Sequence, residues 1–150
     1  MYPDAPGGID SFKIGGDYQD FVADILYKRY GWRIDYFTRM QEQYEYGESR
    51  QGVEVKHDPH TKYRHLSIET EEKSRLAVPI WTPSGIFRDD NTIWYIQGDE
   101  NSFYIFLKRD LQEWYNLKSP RVTEMNKTMR RFFLEYQDAN ILGIKISCIF

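Results

Sequence analysis

Residues 47–58 read Gly-Glu-Ser-Arg-Gln-Gly-Val-Glu-Val-Lys-His-Asp, and the predicted fold depends on this stretch. Val53 and Val55 are β-branched, which favours a strand. Glu54 and Lys56 alternate with them. A period of two predicts a β-strand with both valines on one face and both charges on the other. Such a charged face is common where a sheet meets solvent, and it can also hold a divalent cation beside a lysine that orients water.

The length and composition are those of a single soluble domain. The chain has 150 residues, of which 41% are hydrophobic and 29% are charged, and this is enough for a sizeable core. No apolar run approaches the roughly 20 residues of a membrane helix, and no basic segment followed by an apolar one begins the sequence. We therefore expect neither a membrane span nor a secretory signal. Cys148 is the single cysteine, which fits a reducing compartment and predicts a cytoplasmic protein.

The net charge and the aromatic content have different implications for nucleic-acid binding. A net charge of −3 gives no general attraction to nucleic acid and disfavours a binder that relies on a basic patch. It does not exclude a nuclease, whose metal ions neutralise phosphate locally. Aromatic residues make up 17% of the chain. A buried core is their ordinary explanation, and base stacking or a protein interface is the functional alternative.

The N-terminal part of the chain predicts an arm followed by a helix. Residues 1–16 contain two prolines and four glycines, a composition that predicts a flexible arm, with the folded domain over residues 17–150. From Asp17 the apolar residues follow a helical period, with Asp17 as N-cap and Gly31 as the left-handed residue after the last turn.

The rest of the chain predicts strands and one further helix. Residues 38–46 fit either a helical turn or a strand, and residues 125–136 fit a strand or, less well, a helix. The polar segment 57–65 predicts a loop that joins two antiparallel strands. A helix is expected over residues 108–117, with Pro120 after its end. The predicted strands are residues 32–37, 53–56, 66–69, 92–96, 102–107, 125–136 and 141–150.

A metal site can be assembled from the central stretch. On a strand, Glu54 and Lys56 point the same way and lie about 6.6 Å apart along the chain. A bend at one of the neighbouring glycines can bring the carboxylate of Glu48 alongside. These two carboxylates and the backbone carbonyl of Val55 are hard oxygen ligands of the kind that Mg2+ prefers. Lys56 is then placed to orient a water or help deprotonate it.

The sequence resembles the PD-(D/E)xK nucleases in three consecutive features. They are a leading helix that ends in glycine and an aromatic residue, the stretch 51–58, and Leu-Ser-Ile-Glu at residues 66–69. More narrowly, they resemble small phage-type members of that superfamily. The resemblance covers residues 17–110. It implies a single α/β domain with a restriction-endonuclease-like mixed β-sheet flanked by helices. It also implies Mg2+ or Mn2+ as cofactor and DNA as substrate, and it leaves room for a homodimer.

The resemblance assigns roles to particular residues. Glu48 matches the first motif acid, where aspartate is more usual, while Glu54 and Lys56 match the Glu-x-Lys motif. Several members carry a glutamate on the leading helix, and the nearest position here is Gln19, with Asp20 beside it. Glutamine supplies no anionic ligand, so Asp20 substitutes for it, the site holds one metal ion, or activity is reduced.

Glu69 points the same way as Ser67 on its strand. It either extends the acidic cluster, or it faces solvent or forms a salt bridge.

Two other groups of residues are weaker candidates for a functional site. His57, His60 and His65 have spacings that a metal site can use, but a solvated loop is the favoured interpretation. The basic residues at 127, 130 and 131 can grip a nucleic-acid backbone and are more typical of a solvated strand face.

Two competing functions remain open. One is a non-catalytic interaction module on the same fold, within a protein assembly. The other is an unrelated α/β ligand-binding protein in which Glu54 and Lys56 form only a surface pair.

Overall fold

Two four-stranded sheets and four α-helices make up this mixed α/β protein, for which a computed structural model describes residues 8–59 and 63–149. The helices are α1 (Gly8–Tyr30), α2 (Met40–Glu45), α3 (Lys108–Lys118) and α4 (Tyr136–Leu142). The strands are β1 (Val53–His57), β2 (His65–Glu72), β3 (Thr82–Pro83), β4 (Trp94–Gly98), β5 (Ser102–Leu107), β6 (Thr123–Met125), β7 (Met129–Glu135) and β8 (Gly143–Ser147). A 3-10 helix covers Gly85–Phe87.

Helix α1 is longer than its sequence pattern predicts. It begins at Gly8, so residues 8–16 are helical rather than part of an arm, while residues 1–7 lie outside the described residues. Asp17 is consequently an interior helical position and not the N-cap. Extending an existing helix adds one hydrogen bond per residue, which can outweigh a glycine penalty of about 1 kcal/mol. The predicted end is confirmed, because Gly31 has φ +67° and donates its N–H to the carbonyl of Tyr27.

The first sheet has the strand order β1-β4-β5-β8. The predicted hairpin is confirmed by the antiparallel pairing of β4 with β5. β1 pairs parallel to β4, with Val53 opposite Trp94 and Val55 opposite Ile96. The prediction that residues 57–65 join two antiparallel strands is wrong, because β2 belongs to the other sheet. One edge of β1 is taken by β4 and the other is covered by the chain before it, so neither edge is open to β2.

The second sheet has the order β3-β2-β7-β6. The predicted alternation on β2 is confirmed, since Leu66 and Ile68 are fully buried. The strand predicted over residues 125–136 is in fact the turn and second strand of a β6–β7 hairpin. Asn126 and Lys127 form the turn with φ of +54° and +60°, and asparagine is among the residues that adopt this region most readily.

The segment after α1 forms no strand. Residues 32–37 make only an isolated bridge between Tyr36 and Ser49, so the strand predicted there is wrong. A longer ladder is prevented because the N–H of Asp35 bonds to the side chain of Gln51 at 2.7 Å instead of to a backbone carbonyl. The ambiguity over residues 38–46 is resolved by helix α2.

The C-terminal strand is shorter than predicted. Residues 136–142 form helix α4, and β8 covers only five residues. Two isoleucines on β8, Ile144 and Ile146, differ in burial. Ile146 is 8% exposed and packs on the core, whereas Ile144 is 64% exposed.

The first sheet is the middle layer of the domain. One face packs against α1 through a core that includes Val22, Leu26, Val53, Val55, Ile96 and Phe103. The other face packs against the second sheet and α3 through a core that includes Leu66, Ile68, Tyr95, Tyr104, Leu111 and Phe132. Because Val53 and Val55 face α1, the alternate residues Glu54 and Lys56 lie on the face toward the second sheet. Among the described residues, no helix combines the length and apolar character needed to cross a membrane.

Candidate active site

The edge of β1 that does not pair with β4 is covered by the residues that precede β1. The hydroxyl of Ser49 accepts a hydrogen bond from the N–H of Val53 at 2.8 Å and donates one to the carbonyl of Val53 at 2.9 Å. Ser49 is fully buried. One side chain thus replaces a neighbouring strand and fixes the path of the chain next to it. The adjacent residue is Glu48, which is held against the same edge.

Glu48 makes three contacts that join separate elements. Its Oε2 accepts hydrogen bonds from the backbone N–H of Val55 at 3.0 Å and from Nε2 of Gln19 on α1 at 3.1 Å. Its Oε1 lies 3.5 Å from Nζ of Lys56. The loop, the leading helix and β1 therefore meet at this one carboxylate.

Glu54 completes the group from within β1. Its Oε1 lies 3.1 Å from Nζ of Lys56. The Lys56 ammonium therefore stands between two carboxylates, and the sum of its two distances limits the separation of those oxygens to 6.6 Å. A cation at this point is stabilised by both acids. The structure brings together the three residues that the Glu-x-Lys resemblance selects.

Glu54 is buried, which the interpretation of a solvated strand face did not anticipate. The residue is 1% exposed, and its Oε2 has no hydrogen-bond partner among the described residues. Burial raises the pKa of Glu54 to about 7, against the opposing effect of the Lys56 ammonium. A buried carboxylate oxygen without a partner costs free energy and marks a position where a bound cation would be favourable.

Lys56 remains charged despite its surroundings. Burial disfavours the ammonium form, but the carboxylates of Glu54 and Glu48 outweigh it and raise the pKa of Lys56 well above its ordinary value. The side chain is 34% exposed, so part of it reaches the surface while its Nζ contacts both acids. The site therefore approaches the surface at Lys56 and is buried at Glu54.

The residue that helix α1 contributes to the candidate site is Gln19 and not Asp20. Gln19 is half-buried and bonded to Glu48, whereas Asp20 is exposed to solvent. Tyr36 holds this part of the helix in place, because its hydroxyl donates to the carbonyl of Gln19 at 3.0 Å. Sequence patterns did not identify Tyr36. Its aromatic side chain, next to Phe37, carries no sequence signal that distinguishes it from a core residue.

Glu69 lies near the site without joining it. It is half-buried on β2, and its charge is a further cause, after Glu54 and Glu48, of the raised pKa of Lys56. Asp58 has a structural role, as its Oδ2 accepts bonds from the N–H of Ser67 and from Nε2 of Gln97, both at 2.8 Å. This carboxylate links the ends of the two sheets.

The described histidines do not form a metal site. His57 lies 3.1 Å from a carboxylate oxygen of Glu100, and its ring centroid is 4.6 Å from that of Tyr18. His65 packs on Phe133 with a centroid distance of 4.3 Å. His60 lies outside the described residues. Within residues 8–59 and 63–149, no group of three or more His, Cys, Asp and Glu side chains is arranged to hold a metal ion.

The donors at β1 nevertheless suit a hard cation that keeps several waters. The N–H and C=O of one residue in an extended strand point to the same side, so the carbonyl of Val55 faces the free edge where its N–H meets Glu48. Glu48, Glu54 and this carbonyl offer two anionic oxygens and one neutral oxygen. Mg2+ commonly binds through one or two carboxylates and fills its remaining positions with water and substrate oxygens. The residues present therefore fit the group that the resemblance implies.

Comparison of the chain with protein-family models, with curated proteins and with solved structures gives no match. The function is therefore inferred from the geometry of this site.

Proposed function

We infer that this protein is a metal-dependent nuclease that hydrolyses DNA phosphodiester bonds, on a restriction-endonuclease-like fold. The observation that supports it best is the convergence of Glu48 and Glu54 on Lys56, with one oxygen of Glu54 buried and unpartnered. A bound divalent cation would account for both the second acid and the unpartnered oxygen.

Each residue has a role that follows from its position. Glu48, Glu54 and the carbonyl of Val55 would hold Mg2+ or Mn2+. A bound ion would supply a Lewis acid that lowers the pKa of water and stabilises negative charge on phosphate oxygens. Lys56 reaches the surface beside the acids, where its ammonium attracts the phosphate and orients the attacking water. Ser49 and Gln19 hold Glu48 in place and need not touch the substrate.

The decisive experiment is cleavage of supercoiled plasmid DNA by purified protein in Mg2+, in Mn2+ and in EDTA. We expect nicking in the presence of metal, and we expect it to be lost in Glu54→Gln and in Lys56→Gln. Matched controls are Glu113→Gln and Lys145→Gln, which change the same residue types at exposed positions away from the site. The variants' folds are checked by circular dichroism.

Two outcomes would overturn the assignment of nuclease activity. The first is the absence of cleavage of any DNA form with either metal. The second is equal nicking by the site variants and the control variants, which would indicate a contaminating enzyme.

A non-catalytic interaction module is the second candidate function, and exposed apolar residues near the C-terminal strand favour it. Ile141, Ile144 and Ile149 are 83%, 64% and 70% exposed. These three isoleucines lie within residues 141–149, and exposed apolar side chains that are close along the chain can contact another protein or a second copy of this chain. A folded, metal-binding protein that cleaves nothing and elutes as a dimer would support this alternative.

A further inference from the structure

The loop that carries Glu48 is held at both ends by the segment that leads into β4. We define the Glu48 loop as residues 46–52. The N–H of Asn91 donates to the first carbonyl of this loop at 2.8 Å, and the N–H of Trp94 donates to its last carbonyl at 2.9 Å. The path of the loop is therefore determined by residues far along the chain, and its middle, where Glu48 lies, needs a further contact.

The side chain of Asn91 makes that contact on both sides of Glu48. Its Nδ2 donates a hydrogen bond to the carbonyl of Ser49 at 2.8 Å. Its Oδ1 lies so close to Gly47 that a Cβ at that position would be 1.9 Å from the oxygen. Gly47 has φ +131°, a region that glycine adopts readily and other residues rarely. One amide group thus contacts both chain neighbours of the residue that bears the carboxylate.

The buried side chain of Asp90 fixes the segment that carries Asn91. Its Oδ1 accepts hydrogen bonds from the N–H of Thr92 and from Nζ of Lys108, both at 2.9 Å. The side chains of Asp90 and Lys108 are 2% and 7% exposed, and a charge-assisted hydrogen bond is stronger than a neutral one. The backbone on both sides of Asn91 is therefore anchored to the start of helix α3.

The position of the Glu48 backbone decides whether its carboxylate stays in the site. Its Oε2 accepts from the N–H of Val55 at 3.0 Å, and its Oε1 lies 3.5 Å from Nζ of Lys56. A displacement of about 0.6 Å away from β1 would lengthen the first contact beyond hydrogen-bond range. A residue that holds the loop beside β1 therefore also holds the carboxylate.

Asn91 is exposed, so its side chain adds little to the hydrophobic core. Its removal creates no buried cavity, and surface substitutions of this kind usually change the stability of the fold only slightly. An effect of Asn91 on Glu48 can therefore be measured apart from a general loss of stability.

We infer that Asn91 is a positioning residue for Glu48, and that its amide keeps this carboxylate in the geometry that a divalent cation requires. Its importance for catalysis rests on the proposed nuclease function, whereas the placement of Glu48 does not. Asn91 acts through Gly47 and Ser49 and contacts neither the ion nor the substrate. Residues that orient metal ligands in this way commonly change metal affinity roughly 10–100-fold when they are removed.

The first test needs no metal. The N–H of Val55 is bonded to the carboxylate of Glu48, so its hydrogen exchange in EDTA, followed by NMR, reports whether that carboxylate is in place. We expect Asn91→Ala to accelerate exchange at Val55 roughly fivefold relative to Ile96 on the inner strand β4. Glu48→Ala should accelerate it at least as much. Asn91→Asp keeps the shape of the side chain but removes the donor, and it should act like Asn91→Ala.

Asn140→Ala is the matched control for these variants. Asn140 is also exposed, and its Oδ1 accepts a 2.8 Å hydrogen bond from the hydroxyl of Tyr104. It lies on α4, which contacts β8 at the opposite edge of the first sheet from β1. Its loss should leave the ratio of the exchange rates at Val55 and Ile96 unchanged. Thermal unfolding followed by circular dichroism confirms that each variant folds.

The second test is a titration of the whole chain with Mn2+, followed by the electron paramagnetic resonance signal of the free ion. We expect the Kd for Mn2+ to rise roughly tenfold in Asn91→Ala and to stay unchanged in Asn140→Ala. Glu54→Gln should remove the binding, which identifies the titrated site as the one that Glu48 and Glu54 form.

Three results would overturn the role of Asn91. They are unchanged exchange at Val55 in Asn91→Ala, equal changes in the Asn91→Ala and Asn140→Ala variants, and faster exchange at Val55 with an unchanged Kd for Mn2+. In the last case Glu48 would move without any consequence for the metal.

Failure of the proposed nuclease is a distinct result. If the unchanged protein binds no Mn2+, the metal site and the nuclease are both removed, and exchange at Val55 still decides whether Asn91 holds Glu48. If it binds Mn2+ and cleaves no DNA, the nuclease is removed and the effect of Asn91→Ala on the Kd decides the positioning role.

Discussion

The carboxylate of Glu48 accepts a 3.0 Å hydrogen bond from the backbone N–H of Val55, at the free edge of the strand that carries Glu54 and Lys56. An edge strand normally leaves such groups to solvent or to another chain. Here a side chain from the preceding loop satisfies the strand and is positioned by it. The acid and the Glu-x-Lys pair are consequently fixed relative to one another by backbone geometry.

The stability of the metal-free protein should depend on pH through Glu54. Its pKa is about 7 in the folded state against an ordinary value of 4.5, because burial disfavours the carboxylate. The folded state therefore binds more protons than the unfolded state between these values, and the free energy of unfolding falls as the pH rises through that window. The loss should be at most about 3 kcal/mol.

Urea unfolding in EDTA at several pH values measures this effect. Glu54→Gln should flatten the profile across the window, whereas Glu113→Gln, at an exposed helical position, should leave it as in the unchanged protein. A profile that rises with pH between 4.5 and 7 would contradict the assignment to Glu54.

A glutamate at position 19 should strengthen metal binding at a cost to the metal-free protein. Nε2 of Gln19 donates to Glu48 at 3.1 Å, so Gln19→Glu replaces a hydrogen bond by two neighbouring carboxylates. Without metal, we expect a loss of about 1–2 kcal/mol in the free energy of unfolding. Added Mn2+ should raise the melting temperature of the variant by more than that of the unchanged protein.

The matched control is Gln41→Glu, because Gln41 donates to Glu45 at 3.2 Å on the exposed surface. An equal response to Mn2+ in both variants would show that position 19 does not face a metal site.

Removal of the Ser49 hydroxyl should destabilise the edge of β1. Ser49→Ala leaves the N–H and carbonyl of Val53 without their side-chain partner in a fully buried position. We expect a loss of about 1–3 kcal/mol in the free energy of unfolding, since buried backbone groups are costly when unpaired. Ser74→Ala, at an exposed bend, should cost little in the same urea titration.

A methyl group at Gly85 should disturb β2 where it passes the site. Gly85 has φ +56°, and an added Cβ would collide with the backbone carbonyl of Glu69. Gly31 has a similar φ of +67° with nothing within 4 Å of the added atom, so Gly31→Ala isolates the cost of the backbone conformation alone. We expect about 1 kcal/mol for Gly31→Ala and at least about 3 kcal/mol for Gly85→Ala. Equal melting temperatures for the two variants would contradict the close approach.

Local patterns were sufficient for elements whose partners are close in sequence. The antiparallel hairpin of β4 and β5, helix α3 and the buried face of α1 all follow from periodicity and turn residues. These contacts are determined by residues a few positions apart, so the sequence pattern reflects them directly. The placement of Glu54 and Lys56 on one strand face is likewise determined by residues a few positions apart.

Contacts between distant segments were not predictable in this way. The partner of β1 is β4, some 40 residues later, and the intervening chain builds much of the second sheet. The extent of α1 and the existence of α4 also escaped prediction, because glycine content and short helical segments give weak local signals.

The sequence by itself determined that a strand with two valines on one face carries a carboxylate and an ammonium on the other, downstream of a helix that ends at Gly31. Only the tertiary structure decided that Glu54 is buried, that Gln19 and not Asp20 reaches the site, and that Glu48 meets Val55. The physical reason is that side-chain direction along a strand is local, whereas burial and charge proximity depend on which distant surfaces pack together.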